Sequence, residues 1–463
     1  MPKNKGLSII IVGCGKVGIT LVEQLSREGH DITVIDTDAS LVEYISGTYD
    51  VMGVVGNGAS YSIQKEAGIE KTDIIIAVTE SDELNLLCCT VAKRVANCSA
   101  IARVRTPDYS QDVNYLQERL GLAMIFNPEL ECAREAARML SLPTALEVAS
   151  FAHGQAELIT FKIPKDNKLD GMKLWDMSKS IPAEIERNVV ICAVERGSHV
   201  FIPSGNFQLQ CGDVVSFVST RKTARKFLRA IGFKTRQVRS TMIVGGGRSA
   251  YYLAQELLGM GIEVKIIEKD RQRCEELCEL LPDGNIINGD GTSEELLTEE
   301  GIEYAESFVA LTGFDEENIL LTLHARNVSN AKVITKVKRI NFRSAINTLD
   351  LGSVIYPRYI TSEAIVAYVR AKHNSMNSNV ETLNYICENR VEAVEFRVNE
   401  ASAVTGTMLK DLKPKMKKDI LIASINRGGR ILIPSGEDTI EVDDTVMVVT
   451  THSGFNDIRD ILA

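Results

Sequence analysis

The sequence has no hydrophobic run that could cross a bilayer, which needs about 20 apolar residues. Its longest apolar stretches, at 9–12 and 74–78, are only a few residues long. The amino terminus, residues 1–6, is basic, but the short apolar run after it ends at glycines, which is not typical of a signal peptide. The sequence alone therefore predicts neither a membrane-spanning segment nor a signal peptide.

Positive charge and cysteine are also in short supply. With 52 Lys and Arg residues against 62 Asp and Glu residues, the net charge is -10, which excludes a nucleic-acid binder held by bulk charge. The 10 cysteines in 463 residues are scattered, and no two pairs have the spacing of zinc ligands. We therefore expect a reducing compartment and free thiols.

The chain contains an internal duplication. Residues 9–18 read IIIVGCGKVG and residues 241–250 read TMIVGGGRSA, an offset of 232 residues. Later landmarks keep nearly this offset, since GNGAS at 56 recurs as GDGTS at 289 and IPSG at 202 recurs at 433. The length allows roughly three domains, but the ordered landmarks indicate two halves of about 230 residues each.

Each half begins with strands and helices in alternation. The near-continuous apolar character of the strands fits a parallel sheet covered on both faces. In the first half the predicted strands are 7–12, 32–36, 51–55, 74–78 and 100–104, and the predicted helices are 17–28 and 83–96. This order predicts an α/β protein with a Rossmann-like, doubly wound parallel sheet in each half.

Each half ends in a small β-rich segment of about 80 residues. In the first half, short strands are predicted at 151–163, 189–194 and 214–218, separated by turn signals. The predicted domains are two Rossmann-like domains, 1–140 and 238–372, and two β-rich domains, 146–230 and 380–463.

A basic stretch joins the two halves. Residues 221–239 contain eight Lys or Arg residues and no acid. One interpretation is an arm that binds an acidic surface or anionic lipid. The alternative is a solvated helix followed by a linker.

A glycine loop follows the first strand and opens a helix, which is the context of a dinucleotide-binding fingerprint. Gly13 permits a tight turn, Gly15 lets the backbone approach a pyrophosphate, and Gly18 lets the helix pack on the strand. The helix terminus then offers free N–H groups to phosphates. The candidate loop residues are Gly13, Cys14, Gly15, Lys16, Val17 and Gly18.

An acid stands at the end of the next strand. Asp36 follows Gly18 by 18 residues, near the usual spacing of about 20. Its carboxylate can accept hydrogen bonds from the hydroxyls of an adenosine ribose and would repel a 2′-phosphate. NAD or another plain adenine nucleotide is therefore favoured over NADP. The alternative is a Rossmann-like sheet with an empty pocket.

The second half carries the same elements with changes. Glu268 replaces Asp36, and Arg248 in the loop could donate two hydrogen bonds to a phosphate. We expect a second nucleotide pocket, for the same ligand or a different one, with an empty pocket again as the alternative. The loop residues are Gly245, Gly246, Gly247, Arg248 and Ser249, followed by Ala250, which the fingerprint allows in place of glycine.

Other polar residues follow the predicted strands, where ligands of parallel sheets bind. Ser81 and Asp82 are ambiguous, because either could cap the following helix. Basic residues at the end of the fifth strand could contact a phosphate or be surface charges. The candidates are Asn57, Thr79, Glu80 and Arg103 in the first half, and Asp290, Thr312 and Lys336 in the second.

The groups that a dehydrogenase would need are missing. The six histidines do not recur at equivalent places in the two halves, and none lies in a recognisable catalytic cluster. No Walker motif, zinc motif or nucleophile elbow is present either. Duplicated nucleotide pockets without catalytic groups predict a sensor and not an enzyme. Two alternatives stay open, an NAD-dependent oxidoreductase with an unrecognised active site and a scaffold with vestigial pockets.

These motifs resemble a known family. GCGKVG with its acid, GNGAS, AVTESDELN and ARVR resemble the domains that regulate conductance of potassium, called RCK or KTN domains. The β-rich segments, with IPSG followed by GDVV, resemble the RCK C-terminal domain. Two such units in tandem resemble the regulatory proteins of Trk-type potassium uptake systems.

The resemblance implies a function. It implies a regulator that lies in the cytoplasm, peripheral to the inner face of the cell membrane, and forms a homo-oligomer, a dimer or a tetramer. Such a protein binds NAD(H), or ATP and ADP, and gates a separate potassium-translocating membrane subunit of Trk type. The ligand-binding role carries over to residues 13–17, Asp36, Asn57, Thr79, Glu80 and Arg103, and to residues 245–249 and Glu268. Ala250 and Lys336 depart from the family pattern, so the specificity of the second pocket is open.

Overall fold

The computed structural model describes residues 6–107, 109, 112–151, 154–233, 235–338, 346, 349, 351–373, 379–387 and 390–463. The chain divides into two compact units, each discontinuous in sequence. The first unit comprises Met1–Ala133, Gly247–Leu253 and Tyr356–Val369, and the second comprises Arg134–Gly246, Ala254–Ile355 and Arg370–Ala463. Among the described residues, no helix has the length and apolar character needed to cross a membrane.

The first unit is built on a six-stranded parallel sheet with the strand order β3-β2-β1-β4-β5-β6. The strand order reverses between β1 and β4, as in a doubly wound sheet. The strands are β1 Ser8–Val12, β2 Asp31–Asp36, β3 Met52–Val55, β4 Ile74–Ala77, β5 Ser99–Arg103 and β6 Met124–Phe126. The five strands predicted for this half are confirmed to within one or two residues.

Helices connect these strands and cover the sheet. α4 begins where the Ser81 hydroxyl accepts a hydrogen bond from the Leu84 amide, and α2 begins where Asp38 caps the amides of Ser40 and Leu41. The helices are α1 Lys16–Arg27, α2 Ala39–Tyr49, α3 Tyr61–Glu66, α4 Asp82–Val95 and α5 Val113–Leu120.

Two segments from the second half of the chain belong to the first unit. The Tyr252 hydroxyl donates to the Arg105 carbonyl oxygen at 3.1 Å and accepts from the Asn127 side chain at 3.0 Å. The Arg358 guanidinium donates to the Thr20 hydroxyl at 2.8 Å. These long-range contacts tie the segments to the first parallel sheet.

The second unit contains a first antiparallel sheet in the order β10-β9-β11-β8-β7. Its strands are β7 Glu147–Phe151, β8 Ala156–Lys162, β9 Val189–Arg196, β10 His199–Phe201 and β11 Val214–Ser219. The accompanying helices are α6 Pro128–Ser141, which starts in the first unit, α7 Met177–Ser180, α8 Ala183–Glu186 and α9 Arg221–Ala230.

A second parallel sheet follows in the same unit, in the order β14-β13-β12-β15-β16-β17. It repeats the strand order of the first parallel sheet. Its strands are β12 Ser240–Val244, β13 Glu263–Glu268, β14 Asn285–Asn288, β15 Ser307–Ala310, β16 Lys332–Lys336 and β17 Ser353–Ile355. The helices of this unit are α11 Arg271–Leu280, α12 Glu294–Glu299 and α13 Asp315–Val328, while α10 Arg248–Gly259 and α14 Pro357–His373 each begin in the first unit.

A second antiparallel sheet, in the order β18-β19-β22-β20-β21, completes the unit. Its strands are β18 Val380–Ile386, β19 Val391–Arg397, β20 Ile420–Arg427, β21 Arg430–Leu432 and β22 Thr445–Thr450, with the short helix α15 Leu409–Leu412. The two antiparallel sheets share a buried apolar cluster that includes Phe151, Leu158, Val391 and Val449. Arg390 reinforces this contact through an ion pair with Glu195 at 2.5 Å.

Two details of the sequence analysis change. The strand predicted at 151–163 is wrong as a single strand, because β7 and β8 form an antiparallel pair in which Phe151 lies opposite Ala156. The basic stretch 221–239 begins with a helix, α9, whose face with Ala224 and Phe227 is buried, so this helix is packed on one side and not solvated all round.

Candidate functional site

The carboxyl ends of β1, β2 and β4 lie side by side in the first unit. Val12 is in register with Ile35 on one side and Ala77 on the other. The Gly13 amide donates to the Ile35 carbonyl oxygen at 2.9 Å, which directs the loop after β1 across the end of β2. This is the point at which the strand order reverses, where doubly wound sheets bind their ligands.

Two loop glycines are required by close backbone contacts. Gly13 has a φ of +101°, and a Cβ there would lie 2.8 Å from the Thr79 nitrogen. A Cβ at Gly18 would lie 2.0 Å from the Gly13 carbonyl oxygen. The turn therefore depends on glycine at position 13, and the close approach of α1 to the loop depends on glycine at position 18.

The start of α1 is open for a ligand. Gly15 is its N-cap residue, and no side chain caps the amides of the first turn. Gly15 and Lys16 are exposed, Val17 is half-buried, and no heavy atom lies within 4 Å of a Cβ built on Gly15. Uncapped amides at a helix start favour an anion, because they are donors at the positive end of the helix dipole.

Asp36 ends β2 beside the glycine loop. One carboxylate oxygen accepts a hydrogen bond from the Cys14 amide at 2.6 Å, and the other accepts from the Asp38 amide at 3.0 Å. Burial and the nearby Asp36 charge raise the pKa of the Cys14 thiol to about 12, so this cysteine stays a thiol. The carboxylate is half-buried and keeps lone pairs that ribose hydroxyls could use.

Thr79 is held by a residue that the sequence analysis missed. The fully buried side chain of Asn85 accepts hydrogen bonds from the Thr79 amide at 2.8 Å and the Thr79 hydroxyl at 2.7 Å. It donates to the Thr79 carbonyl oxygen at 3.1 Å and to the Arg103 carbonyl oxygen at 2.9 Å. One amide thus joins the ends of β4 and β5. A signal was present, since Asn318 recurs 233 residues later.

Arg103 turns its side chain toward the loop after β4. Its guanidinium donates to the Thr79 carbonyl oxygen. Burial, with a smaller effect of the Arg105 charge, lowers the pKa of Arg103 to about 10. Its buried Nε has no hydrogen-bond partner among the described residues. A guanidinium cation in a partly desolvated crevice suits a phosphate contact.

The residues after Thr79 have separate tasks. Glu80 is exposed, and the Arg105 guanidinium donates to its carbonyl oxygen. Ser81 caps α4, but Asp82 does not, because its carboxylate accepts from the amides of Arg105 and Thr106 at 2.8 Å each. Burial raises the pKa of Asp82, but hydrogen bonds from the Thr106 hydroxyl and from these two amides lower it more, so the carboxyl titrates below its usual range.

Asn57 and Asp290 occupy equivalent turns in their own units. The Asn57 side chain accepts from the Ala59 amide at 2.9 Å, and the Asp290 side chain accepts from the Thr292 amide at 2.9 Å. Both side chains are exposed and stabilise a local turn. Neither contact excludes a ligand, because each side chain keeps a second polar atom.

The second parallel sheet repeats the crevice. Gly245 has a φ of +99°, and a Cβ there would lie 2.9 Å from the Thr312 nitrogen. Glu268 accepts from the Gly246 amide at 2.6 Å and from the Asp270 amide at 2.8 Å. The acid of the second half therefore makes the same two backbone contacts as Asp36.

The end of β15 is likewise held by an asparagine. Asn318 accepts from the Thr312 amide at 2.8 Å and donates to the Lys336 carbonyl oxygen at 3.0 Å. The Lys336 amine is buried and donates to the Leu311 carbonyl oxygen at 2.7 Å.

The structure thus places Gly245, Gly246, Glu268, Thr312 and Lys336 in the second unit, around the ends of neighbouring strands. Gly247, Arg248 and Ser249 group with the first unit and open α10. In the parts of the chain that the structure describes, no group of three or more His, Cys, Asp or Glu residues could hold a metal ion.

Comparison with known families accounts for most of the chain. The TrkA-N domain family matches residues 9–128 and again residues 241–357. The TrkA-C domain family matches residues 158–232 and 393–463. The order of the matches is the tandem order that the duplication predicted.

Similar proteins match over nearly their full length. A Trk system potassium uptake protein TrkA homolog of Archaeoglobus fulgidus is 32% identical over 98% of this chain and 100% of its own. The Trk system potassium uptake protein TrkA of Halomonas elongata is 30% identical over 98% of both chains. The protein of that name in Haemophilus influenzae is 28% identical over 96% of this chain and 95% of its own.

Solved structures support the fold. The GsuK channel aligns with a TM-score of 0.63 at 17% identity, over 97% of this chain and 78% of the channel. The GsuK RCK domain aligns with a TM-score of 0.62 at 16% identity, over 97% of this chain and 93% of that one. The predicted α/β fold with tandem Rossmann-like and β-rich domains is confirmed.

Proposed function

The chain belongs to the TrkA family, and from that premise we propose that it is a regulatory subunit of a potassium uptake system. In this proposal it binds NAD(H) or another adenine nucleotide and gates a separate potassium-translocating membrane subunit of Trk type. Its relatives are potassium uptake proteins and its structural neighbours are channel regulatory domains, so the chain is not an enzyme. The oxidoreductase alternative therefore has no support.

The observation that carries the proposal is the first crevice. An uncapped helix start at Gly15, the carboxylate of Asp36 and the half-buried guanidinium of Arg103 lie around the ends of adjacent parallel strands. The helix start and Arg103 suit phosphate groups of an adenine nucleotide, and Asp36 suits the ribose hydroxyls. A solved relative of the fold, the GsuK channel bound to NAD, aligns with a TM-score of 0.62, which agrees with this choice of ligand.

The carboxylate favours free ribose hydroxyls at this site. Asp36 is fixed by two backbone amides, so it cannot turn away from a ligand without losing both hydrogen bonds. A 2′-phosphate would meet a like charge there, which disfavours NADP in the first pocket.

The buried asparagine supplies a means of transmission. A ligand at the loop after β4 would act on Thr79, and Asn85 connects Thr79 to the end of β5. Control requires only that the ligand bind one arrangement of the protein more tightly than another. A tenfold ratio gives about 1.4 kcal/mol of coupling for each site.

The potassium path would lie in another chain. The relatives are named as potassium uptake proteins, and the described residues include no helix that could span a membrane. We place the protein in the cytoplasm, at the inner face of the membrane. We also expect a homo-oligomer, a dimer or tetramer, because α4 and α13 expose the equivalent leucines Leu87 and Leu320.

The binding part of the proposal is tested with Asp36→Ala. We expect NADH to bind the full-length variant at least tenfold more weakly, since one or two hydrogen bonds to a charged group are lost, at about 1.5–3 kcal/mol each. Calorimetry should be run with Gly247→Val present, because a side chain at the second loop is expected to close the other pocket. Asp31→Ala is the control, since Asp31 is an exposed carboxylate at the opposite end of the same strand. Equal affinity in Asp36→Ala and Asp31→Ala would refute the role of Asp36.

The gating part needs a separate measurement. A strain that lacks its own regulator would be supplied with the cognate membrane subunit, with or without this chain, and potassium-limited growth would be measured. Unchanged potassium uptake would end the gating claim. If Asp36→Ala restores uptake as well as the wild type does at every energy state, nucleotide sensing fails while the partner claim stands.

A further inference from the structure

The two nucleotide pockets differ most in the residues that follow the ribose-binding acid. In the first half, the three residues that follow Asp36 at alternate positions, namely Thr37, Ala39 and Leu41, are uncharged. At the positions equivalent to these three, the second half has Lys269, Arg271 and Arg273. This is a charge difference of three at one edge of otherwise similar pockets.

Arg273 is held against the second glycine loop. Its Nε donates to the Gly246 carbonyl oxygen at 2.8 Å, while the Gly246 amide donates to Glu268 at 2.6 Å. The guanidinium and the ribose-binding carboxylate therefore contact the same loop residue. In the first half the equivalent residue is Leu41, which has no hydrogen-bonding side chain.

Arg273 has donors to spare. One terminal nitrogen pairs with Glu276 at 2.9 Å, and the other has no hydrogen-bond partner among the described residues. The side chain is 25% exposed, so it is partly fixed and still reachable. It lies in the first turn of α11, where its own amide donates to the capping carboxylate of Asp270 at 3.1 Å.

Lys269, a second cation, directly follows Glu268 at the end of β13, and the Asn288 side chain donates to its carbonyl oxygen at 3.1 Å. Hydrogen bonds from Thr292 and, more weakly, the charge of Lys269 lower the pKa of Asp290, so Lys269 and Asp290 are close enough to interact. Arg271 differs from both, because it is 84% exposed and paired with Glu275 on the outer face of α11.

Resting on the proposed nucleotide-binding function, we propose that the second pocket prefers an adenine nucleotide with a phosphate on the ribose 2′-oxygen, such as NADPH. Arg273 and Lys269 supply the cations, since an arginine near the ribose is the usual means of accommodating a 2′-phosphate. Glu268 opposes the added charge, as Asp36 does in the first pocket. Only the second pocket has two cations that offset the repulsion between its acid and a 2′-phosphate. The chain would therefore bind a nucleotide without this phosphate in the first pocket and one with it in the second.

The test uses the full-length chain with the first pocket closed by Gly15→Val. Gly15 has ordinary backbone angles and no atom within 4 Å of its Cβ position, so this change should fill the phosphate site and leave the fold intact. We expect this protein to bind NADPH more tightly than NADH by calorimetry. Exchanging Lys269 and Arg273 for the threonine and leucine of the first half should weaken NADPH binding at least tenfold and NADH binding less than threefold.

The controls separate this inference from its premise. Arg271→Ala should change neither affinity, because its side chain faces solvent, and Arg273→Gln tests the charge with less change in size. NADPH binding no tighter than NADH binding, or an equal loss of both on Arg273→Leu, would overturn the inference. So would tighter binding of coenzyme A, whose ribose phosphate is on the 3′-oxygen. If NADH binds to the Gly247→Val chain in these cases, the proposed function survives; if no nucleotide binds either pocket, the function itself fails.

Discussion

Replacement of Asn85 by leucine should weaken both the first unit and its ligand site. The side chain is fully buried and makes four hydrogen bonds. Leucine would leave two backbone groups without their hydrogen bond to this side chain, the Thr79 amide and the Arg103 carbonyl oxygen. The Thr79 carbonyl oxygen keeps its contact with the Arg103 guanidinium. Leucine branches at the same carbon as asparagine but carries methyl groups there, so the substitution removes all four hydrogen bonds.

The magnitude follows from the number of groups left without a partner. A buried polar group that loses its hydrogen bond costs about 1–3 kcal/mol, so two such groups predict a loss of about 2–6 kcal/mol in the free energy of unfolding of this unit. We expect NADH affinity to fall as well, because Thr79 and Arg103 are no longer held in one position. The pair of effects distinguishes a residue that positions the site from one that only fills the core.

The assay is urea unfolding followed by calorimetry with NADH, on full-length protein. Because the chain has two units, the unfolding transition of the first unit should move to lower urea, while the transition of the second unit keeps its midpoint. Asn318→Leu is the matched control and should shift the other transition, since Asn318 makes the equivalent contacts in the second unit. A loss below about 1 kcal/mol with unchanged NADH affinity would show that the hydrogen bonds of Asn85 do not hold the site.

Two further predictions concern buried titratable groups. Cys14 should resist alkylation at pH 8 while the exposed Cys211 reacts, because burial and Asp36 raise the pKa of Cys14 to about 12, and mass spectrometry of the labelled peptides would decide. Burial and the Arg326 charge lower the pKa of Lys332 to about 7. The unfolded chain then binds the extra proton between pH 7 and about 10.4, so the contribution of this group to stability rises with pH across that range. Lys332→Met should reduce the rise by about 1–3 kcal/mol, and parallel pH profiles of the unfolding free energy in wild type and variant would contradict it.

The fold could be predicted from the sequence because the apolar strand patterns and the residues that end the strands indicate the same elements. The end of β1 is set by Gly13, whose positive φ stops the strand, and the end of β2 is set by Asp36, whose carboxylate turns back to the Cys14 amide. Local signals of this kind fix strand ends. The break between β7 and β8 also has a local signal, Gly154 with a φ of +85°, and the prediction of one strand at 151–163 overlooked it.

The site was harder to predict because some of its residues act through tertiary contacts. An asparagine inside a helical pattern reads as a weak helix former, and nothing local shows that Asn85 reaches two strand ends. Arg103 was expected at a phosphate, and its contact with the Thr79 carbonyl oxygen appears only once β4 and β5 are paired. The position of Tyr356–Val369 in the first unit likewise depends on contacts hundreds of residues apart, such as that of Arg358 with Thr20.

The duplication separates what the crevice needs for its shape from what it uses for its ligand. Asn85 and Asn318 make equivalent contacts, as do Asp36 and Glu268, so the parts that fix the strand ends are the same in both halves. The differences fall on Leu41 against Arg273, a residue that no strand end requires. Changes at such positions leave the frame intact and alter only the chemistry offered to a ligand. A duplicated regulator can therefore keep one mechanism of transmission in both halves while its two pockets respond to different nucleotides.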